Sequence, residues 1–342
     1  MLIEFTNKGM FVPIANVYID PWTAVPKALI THAHSDHARI GSQQYLSHHQ
    51  SIPILQKRLG SQNFTGINYN ETININGVNF TFYPAGHVLG SAQIKVEYKG
   101  EIWVASGDYK LENDGVSAPF ESVKCHTFIT ESTFGLPVYK WQSQQAIFDE
   151  INSWWQQNIN EGKCSVILAY SLGKAQRILQ NINTNLGPIL VHGAVDEMNK
   201  AHEEANVQLN YSKRITPELS KVDFKNALVI APPAVEGSAW LKKMEPYSLA
   251  VASGWMGLRG VRRRMSADRG FVLSDHADWP SLNTAVQNTG AENILVTHGF
   301  TSIFAKWLTD KGYNAREVNT KFSGESLTET ENTESKLETE LS

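Results

Sequence analysis

The densest concentration of chemistry-bearing side chains is THAHSDHA at 31–38, where His32, His34, Asp36 and His37 crowd together in a chain with 11 histidines among 342 residues. Imidazole nitrogens and carboxylate oxygens are the ligand types that hold borderline divalent cations. The apolar run Ala28-Leu29-Ile30 leads straight into the cluster and predicts a loop at a strand's end. Alternate residues there can turn several imidazoles and one carboxylate into a single space. The spacing is not the helical H-E-x-x-H pattern, in which two histidines share a helix face. Taken by itself, the segment leaves open a histidine-rich surface loop.

Further ligand-type residues stand where other strands should end: Asp20 closes VYID, His87 lies in PAGHVLGSA, Asp108 in ASGDYK, Glu131 in ITESTFG, His276 in LSDHADW and His298 in LVTHG. Each alone has a bland explanation, a turn aspartate or a hydrogen-bonded structural histidine. Together they repeat one arrangement, a buried β run ending in an ionisable group, which is how loops on a rigid sheet edge build sites.

The elements that must position these groups are short β runs at Val17–Asp20, Ala28–Thr31, Val78–Tyr83, Gln93–Tyr98, Glu101–Ser106, Thr127–Thr130, Ser165–Tyr170, Pro188–Val191, Ala227–Ala231, Ser248–Ala252, Phe271–Leu273 and Asn293–Thr297. Strands so numerous need more than one sheet. Up to about residue 110 they come with little helix between them, and from 140 onward they alternate with helical patterns, so the architecture changes there. The spacing predicts helices over Ser143–Asn160, Leu172–Ile182, Asp196–Asn206, Trp279–Asn288 and Ser302–Lys311, the last closed by Gly312.

Composition excludes several classes. A 42% hydrophobic chain carrying 30 Lys+Arg against 34 Asp+Glu is neither disordered throughout nor collagen-like. It lacks an apolar stretch long enough to span a membrane, and its start lacks the pattern of a secretory signal, so a cytoplasmic protein with no membrane partner is expected. Cys125 and Cys164 form no C-x-x-C pair and read as buried reduced thiols. The Glu-, Thr- and Ser-rich stretch 323–342 reads as a disordered acidic tail, and without it the chain is near electrical neutrality.

The succession Asp20, HAHSDH at 32–37, His87 and Asp108 resembles motifs one to four of the metallo-β-lactamase fold, and Glu131, His276 and His298 resemble the three later motifs of its β-CASP nuclease branch. PAGHVLGSA, ITESTFG, SLGKAQ at 171–176 and LSDHADW are close to that branch's consensus segments, in the same order. The resemblance covers the chain except the acidic tail, and within the branch it is nearest in size and wording to the bacterial DNA-ligase-associated DNA exonucleases. It implies an α/β fold: an αββα metallo-β-lactamase domain over 1–134 and 270–322, with an inserted α/β β-CASP cap over 135–269. It assigns His32, His34 and His87 to one zinc ion and Asp36, His37 and His298 to a second, with Asp108 bridging and Mn²⁺ as an alternative metal. Asp20 would orient the histidine loop from behind. Asp36, Glu131 and His276 would be catalytic, His276 as a general acid held by Glu131.

The activity so implied is metal-dependent hydrolysis of DNA phosphodiesters from a strand end, in repair, with a DNA ligase and a helicase as functional partners. An RNA-processing ribonuclease is the alternative, because the third late motif is typically His in RNA-acting members, as at His298, and Val in the DNA crosslink-repair enzymes. A small-molecule thioester or lactam hydrolase would need neither the insertion nor the late Glu/His/His set. A dead scaffold would have lost ligands, and every ligand position is filled.

Lys174 in SLGKAQ, with its helix start, and the run Arg259, Arg262, Arg263, Arg264 and Arg269 are candidate phosphate contacts, a solvated charged face being the alternative for the run. Trp255 in SGWMGLRG is the tryptophan singled out for base stacking, core packing being the ordinary role of the others. His48, His49, His126, His192 and His202 match no motif and read as structural or surface groups.

Overall fold

The computed structural model describes residues 1–262 and 266–321. Arg263, Arg264 and the acidic stretch 323–342 lie outside the described residues. The chain divides into two compact units, one built from Met1–Asn113, Ser117–Lys140 and the described residues from His276 onward, the other from Asp114–Val116 and Trp141–Asp275.

The first unit holds two sheets. One orders Glu4–Thr6, Gly9–Val12, Val17–Ile19, Lys27–Leu29, Gln44–His48 and Phe64–Ile67, antiparallel over the first three and parallel from there. The other orders Asn314–Glu317, Asn293–Gly299, Thr127–Ser132, Glu101–Ala105, Ala92–Tyr98, Val78–Pro84 and Thr72–Ile75. Successive side chains in its central strands serve opposite cores. Trp103, Ala105, Ile129 and Leu295 meet Val17, Ile19, Leu29 and Leu46 of the facing sheet, whereas Val104, Phe128, Ile294 and Val296 meet Leu282, Val286, Phe304 and Leu308 of the helices Trp279–Thr289 and Thr301–Asp310. The helix Ile52–Leu59 buries Ile54 and Leu55 and sets Ile52 on Gly66 of the six-stranded sheet. The result is the expected mixed α/β sandwich flanked by helices.

The second unit is a parallel sheet ordered Lys213–Arg214, Ile189–Val191, Leu228–Ala231, Cys164–Leu168, Tyr247–Ala252 and Arg269–Phe271. Its central strand feeds Ile167 to one core and Val166 and Leu168 to another, the near-continuous apolar run of a strand covered on both faces. The helix Gln144–Asn160, capped by Ser143, turns Ile147, Phe148, Ile151, Trp154 and Trp155 into the first of these cores. Trp155 is fully buried and its indole N–H donates to the Asn226 carbonyl at 3.0 Å; removing such a side chain costs about 3–5 kcal/mol. Among the described residues no helix is long and apolar enough to cross a membrane. Cys125 and Cys164 are free and buried, and burial pushes both thiols up to about 12.

The histidines outside the motifs have local structural contacts. His126 Nδ1 accepts the Ile102 N–H, His192 Nδ1 accepts the Ala194 N–H at a helix start, and His48 stacks on Tyr69 at 3.6 Å. His202, on the helix Gly193–Glu204, donates from Nδ1 to the Met198 carbonyl at 2.8 Å, and burial lowers its pKa to about 4. Because the folded pKa lies below the unfolded value near 6.5, the unfolded chain binds the extra proton. The stabilisation from a neutral His202 is therefore complete above pH 6.5 and fades as pH falls toward 4. Denaturant unfolding of the second unit should lose about 2 kcal/mol more between pH 7 and pH 5 in the wild type than in His202→Gln. Equal losses in the two proteins would refute this.

Candidate metal centre

The motif residues gather in the first unit because its strands end at the same edge. Val17–Ile19 and Lys27–Leu29 run parallel, so Asp20 and the His32–His37 loop leave neighbouring strands together, and the Asp20 N–H donates to the Leu29 carbonyl at 2.9 Å. Glu101–Ala105, Thr127–Ser132 and Asn293–Gly299 are likewise parallel and deliver Asp108, Glu131 and His298. Val78–Pro84 is separated from Glu101–Ala105 by one antiparallel neighbour, so it points the same way and brings His87. His276 precedes the helix Trp279–Thr289, which Asp278 caps.

His298 reaches the site through an irregularity. The ladder shifts between Thr130 and Ser132, opposite Thr297 and His298, and His298 adopts a φ of +51°. Bulges re-aim side chains in this way. Gly299 follows at φ +80°, where a Cβ would run into the Ser132 carbonyl. The Ser132 hydroxyl in turn donates to the His298 carbonyl.

Three sets of ligand atoms result, those within each lying within 4.8 Å of one another: His32, His34, His87 and Asp108; Asp36, His37 and His298; and Asp108, Glu131 and His276. Asp108 is the common point. Its Oδ2 lies 3.4 Å from His37 Nε2, 3.5 Å from His32 Nε2, 3.9 Å from His87 Nε2 and 4.0 Å from His276 Nδ1. His87 Nε2 faces His34 Nδ1 at 3.0 Å. Glu131 divides its oxygens between the Tyr109 N–H at 2.8 Å and His276 Nδ1 at 2.9 Å. Asp20 accepts from the Thr31 N–H at 2.8 Å, from the Thr31 hydroxyl at 2.6 Å and from His37 Nδ1 at 2.8 Å. Asp36 is the open side: its side chain is 24% exposed and borders a cavity shared with Met10, Trp22, His37 and His298.

The electrostatics favour a cation at this point. Burial lowers the pKa of His32 well below the ordinary value, helped by His37, and burial with His37 lowers that of His298. His37 moves the other way: burial opposes its charge, but Asp36, Asp108 and Asp20 outweigh it and raise its pKa. Against burial, His37, His276 and His32 hold Asp108 well below the carboxylate range. His32 Nε2 and His37 Nε2 are buried without a hydrogen-bond partner, an expensive state unless a ligand meets them. Imidazole and carboxylate donors without thiolate, converging with unspent nitrogens, fit a divalent metal ion.

The remaining expected contacts lie in the second unit. Lys174, expected to meet phosphate, is instead buried: its ammonium lies 3.3 Å from Asp275 Oδ2 and 4.5 Å from the Tyr170 ring centroid. A buried cation keeps its charge only when paired, and Asp275, also 3.3 Å from Arg177 Nε, supplies the pair. Arg259 and Arg262 are exposed on a short helix, Arg269 is exposed and 3.4 Å from Glu150, and Trp255 is half-buried against that unit's core. Sequence reasoning missed Thr31 and Ser132, although both stand inside segments it quoted. A hydroxyl beside a candidate ligand histidine, in THAHSDHA, was the available signal for the first.

A two-sheet sandwich carrying histidines and aspartates at its strand ends, interrupted in sequence by a parallel α/β unit, defines the class: a metallo-β-lactamase fold with a β-CASP cap. The relatives it matches support a place in the β-CASP branch of that fold. It is 26% identical over 317 residues to a probable DNA ligase of Opitutus terrae, a match covering 92% of this chain and 30% of the relative. It is 33% identical over 165 residues to the endoribonuclease YSH1 of Gibberella zeae, covering 46% of this chain and 19% of the relative. Against cleavage and polyadenylation specificity factor 73 of Drosophila melanogaster it is 31% identical over 115 residues, 33% of this chain and 16% of the relative. The chain thus spans less than a third of the length of each. A solved structure of a protein of unknown function from Enterococcus faecalis V583 superposes with a TM-score of 0.59 at 12% identity, covering 87% of this chain and 80% of that one. No protein-family model matches.

Proposed function

We propose that the chain is a metal-dependent nuclease that hydrolyses DNA phosphodiesters from a strand end, in the cytoplasm, in repair alongside ligation. The observation that carries the DNA reading is the match of nearly the whole chain, 92% of it, to part of a protein named for ligation, whereas the endoribonuclease match covers 46%. His32, His34 and His87 would hold one Zn²⁺ and Asp36, His37 and His298 a second, with Asp108 shared and Mn²⁺ as the alternative. When bound, such ions supply Lewis-acid stabilisation of phosphate charge and lower the pKa of water.

The chain's own residues do the rest. The carboxylates of Asp36 and Asp108 offer oxygen ligands on the open and on the buried side of the site. Glu131 accepts from His276 Nδ1 at 2.9 Å, which leaves Nε2 to meet the substrate. As water attacks phosphorus, forming the new P–O bond and leaving its extra proton to the phosphate product and solvent, the bond to the departing sugar oxygen breaks with its electron pair on that oxygen. His276 Nε2 supplies the proton, and Glu131 stabilises the imidazolium that carries it.

A time course on end-labelled single strands of one sequence, as DNA and as RNA, with Zn²⁺ or Mn²⁺, tests the reading, with Asp36→Ala as control. Faster loss of DNA, laddering from one end, is expected. Faster loss of RNA would overturn the DNA assignment in favour of a ribonuclease, the second reading, which the endoribonuclease relatives favour.

A further inference from the structure

We infer that Thr31 is a positioning residue for metal binding: its hydroxyl relays the Asp20 carboxylate to His32, so that one buried carboxylate orients a histidine in each of two metal sets. The inference rests on the two-metal reading above. A histidine that ligates through Nε2 carries its proton on Nδ1 and needs an acceptor there. His37 has Asp20 Oδ2 itself, at 2.8 Å. His32 Nδ1 meets Thr31 Oγ1 at 3.2 Å, and the same hydroxyl oxygen is farther from His37 Nδ1, at 3.4 Å, which Asp20 already serves directly.

That oxygen is already committed as a donor, because Thr31 Oγ1 lies 2.6 Å from Asp20 Oδ2. Its lone pairs are therefore the part that faces the His32 N–H. The sequence of bonds runs from His32 Nδ1–H to Thr31 Oγ1–H to Asp20, each link polarising the next and raising the basicity of His32 Nε2. That Nε2 is one of the two buried imidazole nitrogens described above as lacking a hydrogen-bond partner, and it lies 3.5 Å from Asp108 Oδ2. The Thr31 N–H holds the other Asp20 oxygen at 2.8 Å, so the carboxylate cannot swing away.

The threonine rotamer is fixed from the opposite side as well. Gly107, at φ +58°, lies so close that a Cβ there would be 2.7 Å from Thr31 Cβ and Oγ1. The residue before Asp108 thus leaves just enough room for the hydroxyl that serves His32. Asp20 itself has a φ of +44°, a conformation asparagine also accepts, so Asp20→Asn changes the charge without forcing the backbone.

The test is metal loading of the full chain, measured by elemental analysis after equilibration at buffered free Zn²⁺ and by the visible spectrum of the Co²⁺ form. Thr31→Val keeps the shape and removes the hydroxyl, and Thr31→Ser does the reverse. Thr31→Val should bind the first-set ion about 10- to 100-fold more weakly while its second ion stays within about threefold of wild type; Thr31→Ser should match wild type. Asp20→Asn should weaken both ions. Should Thr31→Val fail to fold, Thr31→Ala makes the same comparison. Wild-type loading in Thr31→Val, or loss in Thr31→Ser equal to that in Thr31→Val, overturns the relay. A wild-type chain that takes up neither Zn²⁺ nor Co²⁺ overturns the metal reading itself, and only that arm reports it.

Discussion

Asp108→Ala is expected to lower kcat/KM for DNA hydrolysis by at least about a thousandfold and to cut bound metal below one ion per chain. The magnitude follows from Lewis-acid stabilisation worth several kcal/mol, at 1.36 kcal/mol per tenfold in rate. The Asp108 carboxylate places one oxygen within 4.0 Å of nitrogens on His32, His37, His87 and His276. Its loss removes a ligand atom from two of the three clustered sets and leaves His32 and His37 facing each other with less negative charge between them. Alanine fills less space and creates no strain, and Asp108 sits on a loop rather than in a ladder, so the sandwich should survive with a similar unfolding midpoint. Turnover within tenfold of wild type, in protein cleared of contaminating nuclease, would remove Asp108 from the centre.

His276→Ala is expected to behave differently on two substrates. On DNA the departing sugar alkoxide needs a proton, so kcat should fall about 10²- to 10⁴-fold, the range for a positioned general acid. On a bis(nitrophenyl) phosphate the leaving phenolate is stable unprotonated, and the same variant should lose less than about tenfold. Metal content should stay at the wild-type level, since the hydrogen bond from His276 Nδ1 to Glu131 ties it to the protein rather than to an ion. Equal losses on both substrates would mean that His276 supports the site structurally and transfers no proton.

What could be read from the sequence was local. His32, His34, Asp36 and His37 announce themselves because their spacing lies within one loop, and the helix Gln144–Asn160 because its apolar stripe repeats within the segment. The strands Glu4–Thr6, Gly9–Val12, Gln44–His48, Phe64–Ile67, Thr72–Ile75 and Asn314–Glu317 went unread. They are short, many of their residues are polar or exposed, and they are fixed by neighbours rather than by their own pattern. The helix Ile52–Leu59 was hidden for a similar reason, opening on Ile52-Pro53 directly after a run of polar residues.

Lys174 shows the limit most plainly. Lys174 at a helix start reads as a phosphate contact, and the partner that takes it inside, Asp275, stands 101 positions further along the chain. The bulge that turns His298 inward is equally invisible, because it exists only as a mismatch between Thr127–Ser132 and Asn293–Gly299. Thr31 lay in plain view within the quoted motif. Its role depends on Asp20, which meets it once Val17–Ile19 pairs with Lys27–Leu29, and on Gly107, which the other sheet brings.

The pairing of Asn293–Gly299 with Thr127–Ser132 also sets a timetable for the nascent chain. At about 5–20 residues per second, a ribosome needs on the order of ten seconds to a minute to travel from His32 to His298. From the point at which Asp108 is made, the emerging polypeptide owns one set of ligand residues and lacks the strand that completes the other. A half-made chain therefore has no finished centre, and the candidate ligand set is complete only once Asn293–Gly299 is laid into the sheet.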